Sequence, residues 1–360
     1  MVELADIFRR YGPLYRARFG SRMLPSHIRV MQDIIDCRTP RLGGQTYQCN
    51  NPECQKLVYS YHSCGNRNCP KCGQDRTGKW LLKQKKRLLP VPYFLVTFTL
   101  PVQLRTIARS NQKCVYNLLF KSSAAALQKL AQDQKFIGGT IGMMGGLHTW
   151  TRDMRYHPHV HYIIPAGGLS PDHTRWQAAN DAFLLPVKAL SLIFRAKFRD
   201  ALKKTHLFKS VPNDVWYKDW VVHCKPVGDG TRALKYLAPY VYRVAITDNR
   251  IVKLENGQVS FRVKDSTTGQ WKTETIPAIE FIRRFLQHVV PKGFVKIRYY
   301  GLFAPANRNQ LAIVKYILGK IDSDDIPSPA SSKYCCPDCG GSMVVTGNLQ
   351  NFNKGPPCVL

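Results

Sequence analysis

The segment HPHVHYIIP, residues 157–165, decides the fold because it combines a strand pattern with three histidines at alternate positions. Alternate residues of a strand share one face about 6.6 Å apart, so two of them can bind one ion from the same side. His157 and His161 would lie about 13 Å apart by the same rise, too far to share an ion. We therefore expect one pair to bind, and we favour His159 and His161, which lead into the apolar YII.

A second apolar segment, GTIGMMGGLHTW at residues 139–150, precedes the histidine strand. The short polar link TRDMRY between the two predicts a β-hairpin. A hairpin closing near residues 154–155 would place His148 opposite His161 as a third ligand. A change of register by one residue would turn His148 to the other face. The alternative, histidines that only fill the core with hydrogen bonds made, stays open.

Outside the hairpin, the hydrophobic periodicity predicts an α/β fold. We expect a mainly antiparallel sheet flanked by helices, with an N-terminal cysteine-rich zinc-binding module. The other predicted elements are strands at 93–101 and 219–227, helices at 104–134 and 181–205, and a helical pattern at 231–243 interrupted by Pro239. The expected domains are a helical and zinc-binding domain at 1–90, a catalytic domain at 91–320 with a β-rich insertion at about 244–276, and a linker with a small cysteine-containing tail at 321–360.

The composition points to a polyanionic partner. Lys and Arg number 53 against 23 acidic residues, a formal charge of +30, and nucleic acid is the first candidate. An anionic membrane is disfavoured because the charge is spread along the chain without a strong amphipathic segment. The start, MVELADIFRR, lacks a secretory apolar region, so we expect a soluble cytoplasmic protein. The basic segment KWLLKQKKR, with Trp80, suits DNA backbone contacts and base stacking, or else is a solvated helix face.

Twelve cysteines without an export signal favour metal ligation over disulfides. Two short-spaced pairs lie in a Gly/Asn-rich segment, and such pairs let one turn present two sulfurs to one tetrahedral ion. The predicted structural Zn²⁺ ligands are Cys49, Cys54, Cys69 and Cys72.

Further cysteines leave alternatives open. Cys37 and Cys64, with His27 or His62 nearby, could complete a second zinc site or be buried thiols. The pair Cys336 and Cys339 in CPDCGG resembles half a zinc ribbon, which only Cys335 and Cys358 could complete.

Several motifs together resemble the rolling-circle insertion-sequence transposases. In chain order these are SCGNRNCPKCG, FTLP, HPHVHYII followed by GG, YLAPYVYR and HVVPKGFVKIRYYG, and the likeness covers about residues 20–320. These transposases belong to the HUH endonuclease superfamily, in its two-tyrosine form with an N-terminal zinc-binding domain.

The resemblance implies a DNA transposase that nicks and rejoins single-stranded DNA at element ends through a 5′-phosphotyrosine intermediate. The family's His-hydrophobic-His pair falls on His159 and His161, and its tyrosines fall on Tyr236 and Tyr240. The family also implies Mg²⁺ or Mn²⁺ at the histidines and a bacterial, nucleoid-associated protein. Pro239 departs from a regular helix, since proline removes a hydrogen bond and kinks the axis. Tyr236, before the break, is therefore the expected first nucleophile.

Two other functions fit the same features of the sequence. A plasmid relaxase or rolling-circle replication initiator would use the same chemistry. A zinc-dependent DNA-binding regulator without catalysis would explain the charge and the cysteines but would leave the histidine strand without a role.

Overall fold

The protein is described by a computed structural model that covers residues 2–242, 245–265, 268–320 and 334–351. Within the helices, the side chains of residues 74–77, 79, 236 and 238–242 lie outside the description. The helices are α1 Leu4–Phe19, α2 Pro25–Asp36, α3 Pro70–Lys85, α4 Arg105–Ser110, α5 Gln112–Ala131, α6 Val187–Lys203, α7 Gly230–Tyr242, α8 Ala278–Leu286 and α9 Arg308–Ile317. In this part of the chain, no helix is both long enough and apolar enough to cross a bilayer.

The strands of the described residues form four sheets. They are β1 Gly44–Cys49, β2 Leu57–Tyr61, β3 Tyr93–Thr99, β4 Gly142–Trp150, β5 Tyr156–Pro165, β6 Gly167–Leu169, β7 Trp176–Ala178, β8 Val222–Gly228, β9 Ile251–Glu255, β10 Gln258–Lys264, β11 Trp271–Pro277, β12 Ile297–Gly301 and β13 Met343–Leu349. The largest sheet has the order β12-β4-β5-β3-β8, and every neighbouring pair in it is antiparallel. The predicted α/β architecture is confirmed, and the histidine strand β5 is its central strand.

The two faces of the central sheet bury different side chains. On one face Val160 and Tyr162 of β5 join Phe98 of β3 in a core with Phe120 of α5 and Phe194 of α6. Because side chains alternate along a strand, the histidines of β5 point to the opposite face. The alternation that suggested a strand therefore separates an apolar face from a histidine face.

Helices α3 and α7 cover part of the histidine face. Leu234 and Leu237 of α7 are buried against Leu95 of β3 and Ile163 of β5, and Trp80 of α3 lies in the same core. Trp80 is only 9% exposed, so the predicted stacking of this ring on DNA bases is wrong.

Helix α7 continues through Pro239 to Tyr242, so the predicted interruption at Pro239 is also wrong. Proline there removes a single N–H donor, to the carbonyl of residue 235, only three residues before the helix ends. Burial of Leu234 and Leu237 against the sheet stabilises the helix despite that loss.

The N-terminal helices share a core with the sheet β11-β10-β9 and with α8. Phe8 of α1 packs edge-on against Phe285 of α8, with ring centroids 5.5 Å apart. Phe261 of β10 packs in the same way against Phe281 of α8 at 5.6 Å. Cys37, which follows α2, belongs to this core, so the N-terminal region is anchored to a segment more than 200 residues later in the chain.

A small sheet of order β13-β1-β2 joins the two ends of the described chain. Strand β13 runs antiparallel to β1 from the pair Gly44/Leu349 to the pair Cys49/Met343. The sequence predicted no strand in either segment, because both are short and rich in polar residues.

Candidate metal centres

Three histidines meet on the histidine face of the central sheet. One ring nitrogen from each of His148, His159 and His161 lies within 4.8 Å of the others. We call these residues the histidine cluster. Each is only 8% exposed, and Nδ1 of His148 lies 2.9 Å from Nε2 of His159. The structure thus brings together the three histidines that the sequence singled out.

The register of the β4–β5 hairpin differs from the predicted one. His148 lies opposite His159, not His161, because the loop between Trp150 and Tyr156 closes about residue 153, earlier than predicted; a β-bulge between His148 and Trp150 then changes the register by one residue. The shift from the expected partner is two residues, an even number, so His148 keeps its face. His148 reaches the cluster for that reason.

Two neighbouring groups orient the imidazoles of β5. Nδ1 of His159 donates to the backbone carbonyl of His157 at 2.6 Å, which leaves Nε2 as its electron-pair donor. Nδ1 of His161 lies 2.8 Å from Oγ1 of Thr97, its cross-strand neighbour on β3. Such outer partners fix the ring and the tautomer of metal-binding histidines. Nothing in the sequence pattern marked Thr97, which contributes only through pairing of β3 with β5.

Burial keeps the histidine cluster uncharged. It lowers the pKa of His148 and of His159 well below the usual range, and the neighbouring histidines lower both further. Burial lowers the pKa of His161 to about 4, with a smaller contribution from Lys225. Neutral imidazole is the form that binds metal ions, so the cluster can bind one at neutral pH without first losing protons.

His157 takes a different position from the cluster. Its Nδ1 lies 2.6 Å from Nη2 of Arg105. Burial, followed by the charge of Arg105, lowers the pKa of His157 to about 4. This third histidine of the motif therefore contributes its carbonyl, which holds His159, while its ring contacts an arginine.

A lysine that the sequence did not single out lies beside the cluster. The Lys296 carbonyl accepts a hydrogen bond from the Leu147 amide at 2.9 Å, and Lys296 Nζ lies 5.2 Å from the centre of the Trp150 ring. The charge of Lys296 is one of the causes that lower the pKa of His148. A cation this close to the histidines would attract a phosphate group.

Helix α7 packs next to the histidine cluster, against a glycine of β4. Gly146 of β4 lies opposite His161, and a Cβ placed on it would be 3.1 Å from Cδ1 of Ile297 and 3.4 Å from Cδ1 of Leu237. The absence of a side chain at Gly146 lets the helix pack close to the sheet. Leu237 directly follows Tyr236 in the sequence.

The two predicted nucleophiles lie on α7, but their side chains fall outside the described residues. Positions 236 and 240 are one turn apart in a continuous helix and so share a helix face. The reason for assigning different directions to Tyr236 and Tyr240, a break at Pro239, does not hold.

Among the described residues, cysteines form two clusters, and their membership differs from the prediction. The pairs Cys49/Cys54 and Cys69/Cys72 do not come together, so their assignment to one ion is wrong. The first cysteine cluster contains Cys37, Cys64, Cys69 and Cys72, and the second contains Cys49, Cys54, Cys336 and Cys339.

The first cysteine cluster combines the predicted pair Cys69/Cys72 with the two residues considered for a second ion. Sγ of Cys72 lies 3.6 Å from Sγ of Cys37 and 3.7 Å from Sγ of Cys64. Cys69 precedes Pro70 at the start of α3, so the helix start fixes the direction of one pair. Sequence spacing alone favoured the wrong partners for Cys69 and Cys72, because it cannot show that the end of α2 places Cys37 beside the start of α3.

The donor atoms of these clusters fit metal ions of different kinds. Four thiolates at tetrahedral spacing suit Zn²⁺. Three neutral imidazoles suit a divalent ion whose other positions are filled by oxygen atoms, although Mg²⁺ and Mn²⁺ prefer carboxylate and water ligands.

Comparison with known proteins also finds a zinc-binding domain in the N-terminal region and matches most of the rest of the chain to one family. Residues 142–311 match a family described as "Putative transposase", and residues 7–100 match a family described as "Transposase zinc-binding domain". The protein called "Putative transposase y4qJ" from Sinorhizobium fredii is 37% identical over 393 aligned positions, covering 99% of this chain and 97% of that protein. The "Transposase for insertion sequence element IS801" from Pseudomonas savastanoi pv. phaseolicola is 27% identical over 354 positions, covering 90% of this chain and 84% of that protein. No solved structure matches the chain.

These matches define an enzyme that acts on DNA. The chain belongs to the family of insertion-sequence transposases that carry an N-terminal zinc-binding domain. The predicted resemblance is confirmed, and family membership favours a transposase over a relaxase or a non-catalytic regulator.

Proposed function

We propose that this transposase nicks and rejoins single-stranded DNA at the ends of its element, using a tyrosine of α7 as the nucleophile and a divalent ion at the histidine cluster. One observation carries the proposal. The helix that bears Tyr236 and Tyr240 packs on the sheet face that bears the three histidines, with Leu237 against Gly146.

The tyrosine would attack the scissile phosphorus in line with the departing 3′ oxygen. The phenolic oxygen forms the new bond to phosphorus, the bond from phosphorus to the 3′ oxygen breaks, and that oxygen leaves with a proton as a 3′-hydroxyl. The product is a 5′-phosphotyrosine ester, which keeps the bond energy for rejoining. A second tyrosine one turn away would allow a second cleavage or a strand transfer before the DNA dissociates.

The histidine cluster would supply the ligands for Mg²⁺ or Mn²⁺. When bound, such an ion withdraws charge from the phosphate and helps to orient it. The residues of the chain prepare the site for it. Thr97 and the carbonyl of His157 hold the two rings of β5, and burial keeps all three imidazoles neutral.

Cations around the cluster support binding of DNA, and its burial supports a single-stranded substrate. Lys225 of β8 is exposed, and its charge contributes to the lowered pKa of His161. Histidines only 8% exposed can contact a phosphate only in a recess. A single strand can bend into such a recess more easily than a duplex can.

We also propose that the first cysteine cluster holds a structural Zn²⁺ in the zinc-binding domain. Its sulfur separations of 3.6 and 3.7 Å fit one tetrahedral ion. The cluster lies in the core shared by α1, α2 and α8, so the ion would stabilise the contact between the N-terminal region and α8.

The decisive experiment is a covalent-adduct assay. Full-length protein is incubated with single-stranded oligonucleotides from the element ends and Mn²⁺, and the adduct is detected as a gel shift in denaturant. The double variant Tyr236→Phe/Tyr240→Phe should form no adduct, and the two single variants show which of the two tyrosines attacks first. The matched control is Tyr316→Phe, at a side chain that is 87% exposed on α9 and far from the sequence motif. Peptide mapping of the adduct to a residue outside α7 would refute the proposal.

The histidines are tested in the same assay. His159→Ala and His161→Ala should lose metal-dependent nicking but keep most DNA affinity, because charge contacts dominate affinity. His148→Ala should behave alike, and the exposed His206→Ala serves as the control. Full nicking by either variant of β5 would show that the cluster is not the metal site.

A further inference from the structure

The second cysteine cluster joins residues from opposite ends of the chain. Sγ of Cys49 lies 3.4 Å from Sγ of Cys339, and Sγ of Cys54 lies 3.7 Å from Sγ of Cys336. All four sulfurs lie within 4.8 Å of one another. Cys49 and Cys54 belong to the region that matches the zinc-binding domain, residues 7–100. Cys336 and Cys339 lie beyond both matched regions.

The sulfur separations fit a tetrahedral ion. Four thiolates at about 2.3 Å from a zinc ion are separated by about 3.8 Å along each edge of the tetrahedron. The observed values of 3.4 and 3.7 Å are close to that edge. A disulfide would require about 2.05 Å. The four sulfurs are therefore spaced to bind one shared ion, and neither pair is close enough to be a disulfide.

The loops around the sulfurs are shaped for thiolates. A Cβ placed on Gly341 would lie 3.3 Å from Sγ of both Cys49 and Cys339, so any side chain there would crowd two sulfurs at once. This close approach concerns the sulfurs themselves rather than the fold of the loops.

Contacts around the cluster hold the two loops together. The Asn50 amide donates to the Ser342 carbonyl at 2.9 Å, next to the pairing of β1 with β13. Lys56 Nζ lies 2.6 Å from Asp338 Oδ2, and the rings of Tyr47 and Tyr334 contact each other at a tilt of 34°, with centroids 4.9 Å apart. These contacts place the two cysteine-bearing loops side by side.

We propose that Cys49, Cys54, Cys336 and Cys339 bind a second structural Zn²⁺, which fastens the C-terminal segment 334–349 to the N-terminal zinc-binding domain. The domain is then completed by the far end of the chain. This assignment replaces the predicted completion of the C-terminal pair by Cys335 and Cys358; Cys358 lies outside the described residues. The site is independent of the DNA chemistry proposed above.

Zinc content tests the site directly. Full-length protein, purified under reducing conditions, should contain about two zinc ions per chain by elemental analysis. The double variant Cys336→Ser/Cys339→Ser should contain about one. Cys335→Ser is the matched control, since Cys335 adjoins the cluster without belonging to it, and it should keep two. One zinc ion in the wild-type protein, two in the double variant, or iron in place of zinc would overturn the assignment.

Hydrogen exchange tests the fastening role. In the double variant, the amides of Asn50 and Cys336, which bond to Ser342 and Gly341 in the wild type, should exchange at least tenfold faster. The amides of β4 and β5 should be unchanged, which shows that the rest of the chain is folded. Unchanged protection of both loop amides would refute the fastening role. The wild-type zinc count decides the metal site even if the double variant does not fold.

Discussion

Replacing Thr97 by valine tests how the histidine cluster is oriented. Valine keeps the shape and volume of threonine but cannot accept the hydrogen bond from Nδ1 of His161, which is 2.8 Å long in the wild type. If Nε2 of His161 binds the ion, its Nδ1 carries the proton and needs an acceptor. Without Thr97 the ring is free to rotate or to change tautomer, and the cluster should bind metal less well.

The expected effect is about tenfold. A neutral hydrogen bond contributes about 0.5–1.5 kcal/mol, which corresponds to a factor of about 2 to 13 in affinity. Loss of an outer partner of a metal ligand typically costs about 10- to 100-fold in metal affinity or activity. The two ranges meet near tenfold. The free energy of unfolding should also fall by about 1–3 kcal/mol, because a buried N–H loses its partner.

The assay is a Mn²⁺ titration of nicking, with the half-saturating concentration as the readout. Thr97→Val should shift it upward about tenfold, and saturating Mn²⁺ should restore most of the rate. The matched control is Thr99→Val, two residues along the same strand and also 9% exposed. Thr99 lies opposite His159, whose Nδ1 already donates to the His157 carbonyl. An equal shift in both variants, or no shift in Thr97→Val, would refute the reasoning.

Three further changes have distinct expected outcomes. Gly146→Val should displace α7 and abolish adduct formation while DNA affinity in a filter-binding assay persists, because a Cβ there already lies 3.1 Å from Ile297 and 3.4 Å from Leu237, and valine adds two methyl groups to it. Gly146→Ala should be much milder. Trp80→Ala should lower the free energy of unfolding in urea by about 3–5 kcal/mol without weakening DNA binding by the folded protein, and the reverse pattern would restore a stacking role. Cys72→Ser should lose one zinc ion by elemental analysis and lower the thermal stability of the core around α1 and α8; full zinc content would exclude Cys72 as a ligand.

The sequence predicted the histidine face because its signals are local. Alternation along HPHVHYIIP assigns the histidines to one face and Val160 and Tyr162 to the other, and the structure agrees. His148 was found for a reason only partly correct. The hairpin register was wrong by two residues, but the parity of the strand preserved its face.

The cysteine partners could not be predicted, because their pairing depends on contacts between distant segments. Spacing identified Cys69/Cys72 as a pair, but Cys37 reaches it only because α2 packs beside the start of α3. The partners of Cys49 lie almost 300 residues away and depend on pairing of β1 with β13. Thr97 and Lys296 were missed for the same reason, since each reaches the histidines only through neighbouring strands.

Pairing of β1 with β13 also sets an order of events during synthesis. Cys49 and Cys339 are separated by 290 residues, so at translation rates of about 5–20 residues per second the N-terminal cysteines wait roughly 15–60 s for their partners. During that time one edge of β1 is open, and unpaired edges invite pairing with other chains. The histidine strand and α7 are already made by then. The last part of the protein to be completed is therefore the domain whose synthesis began first.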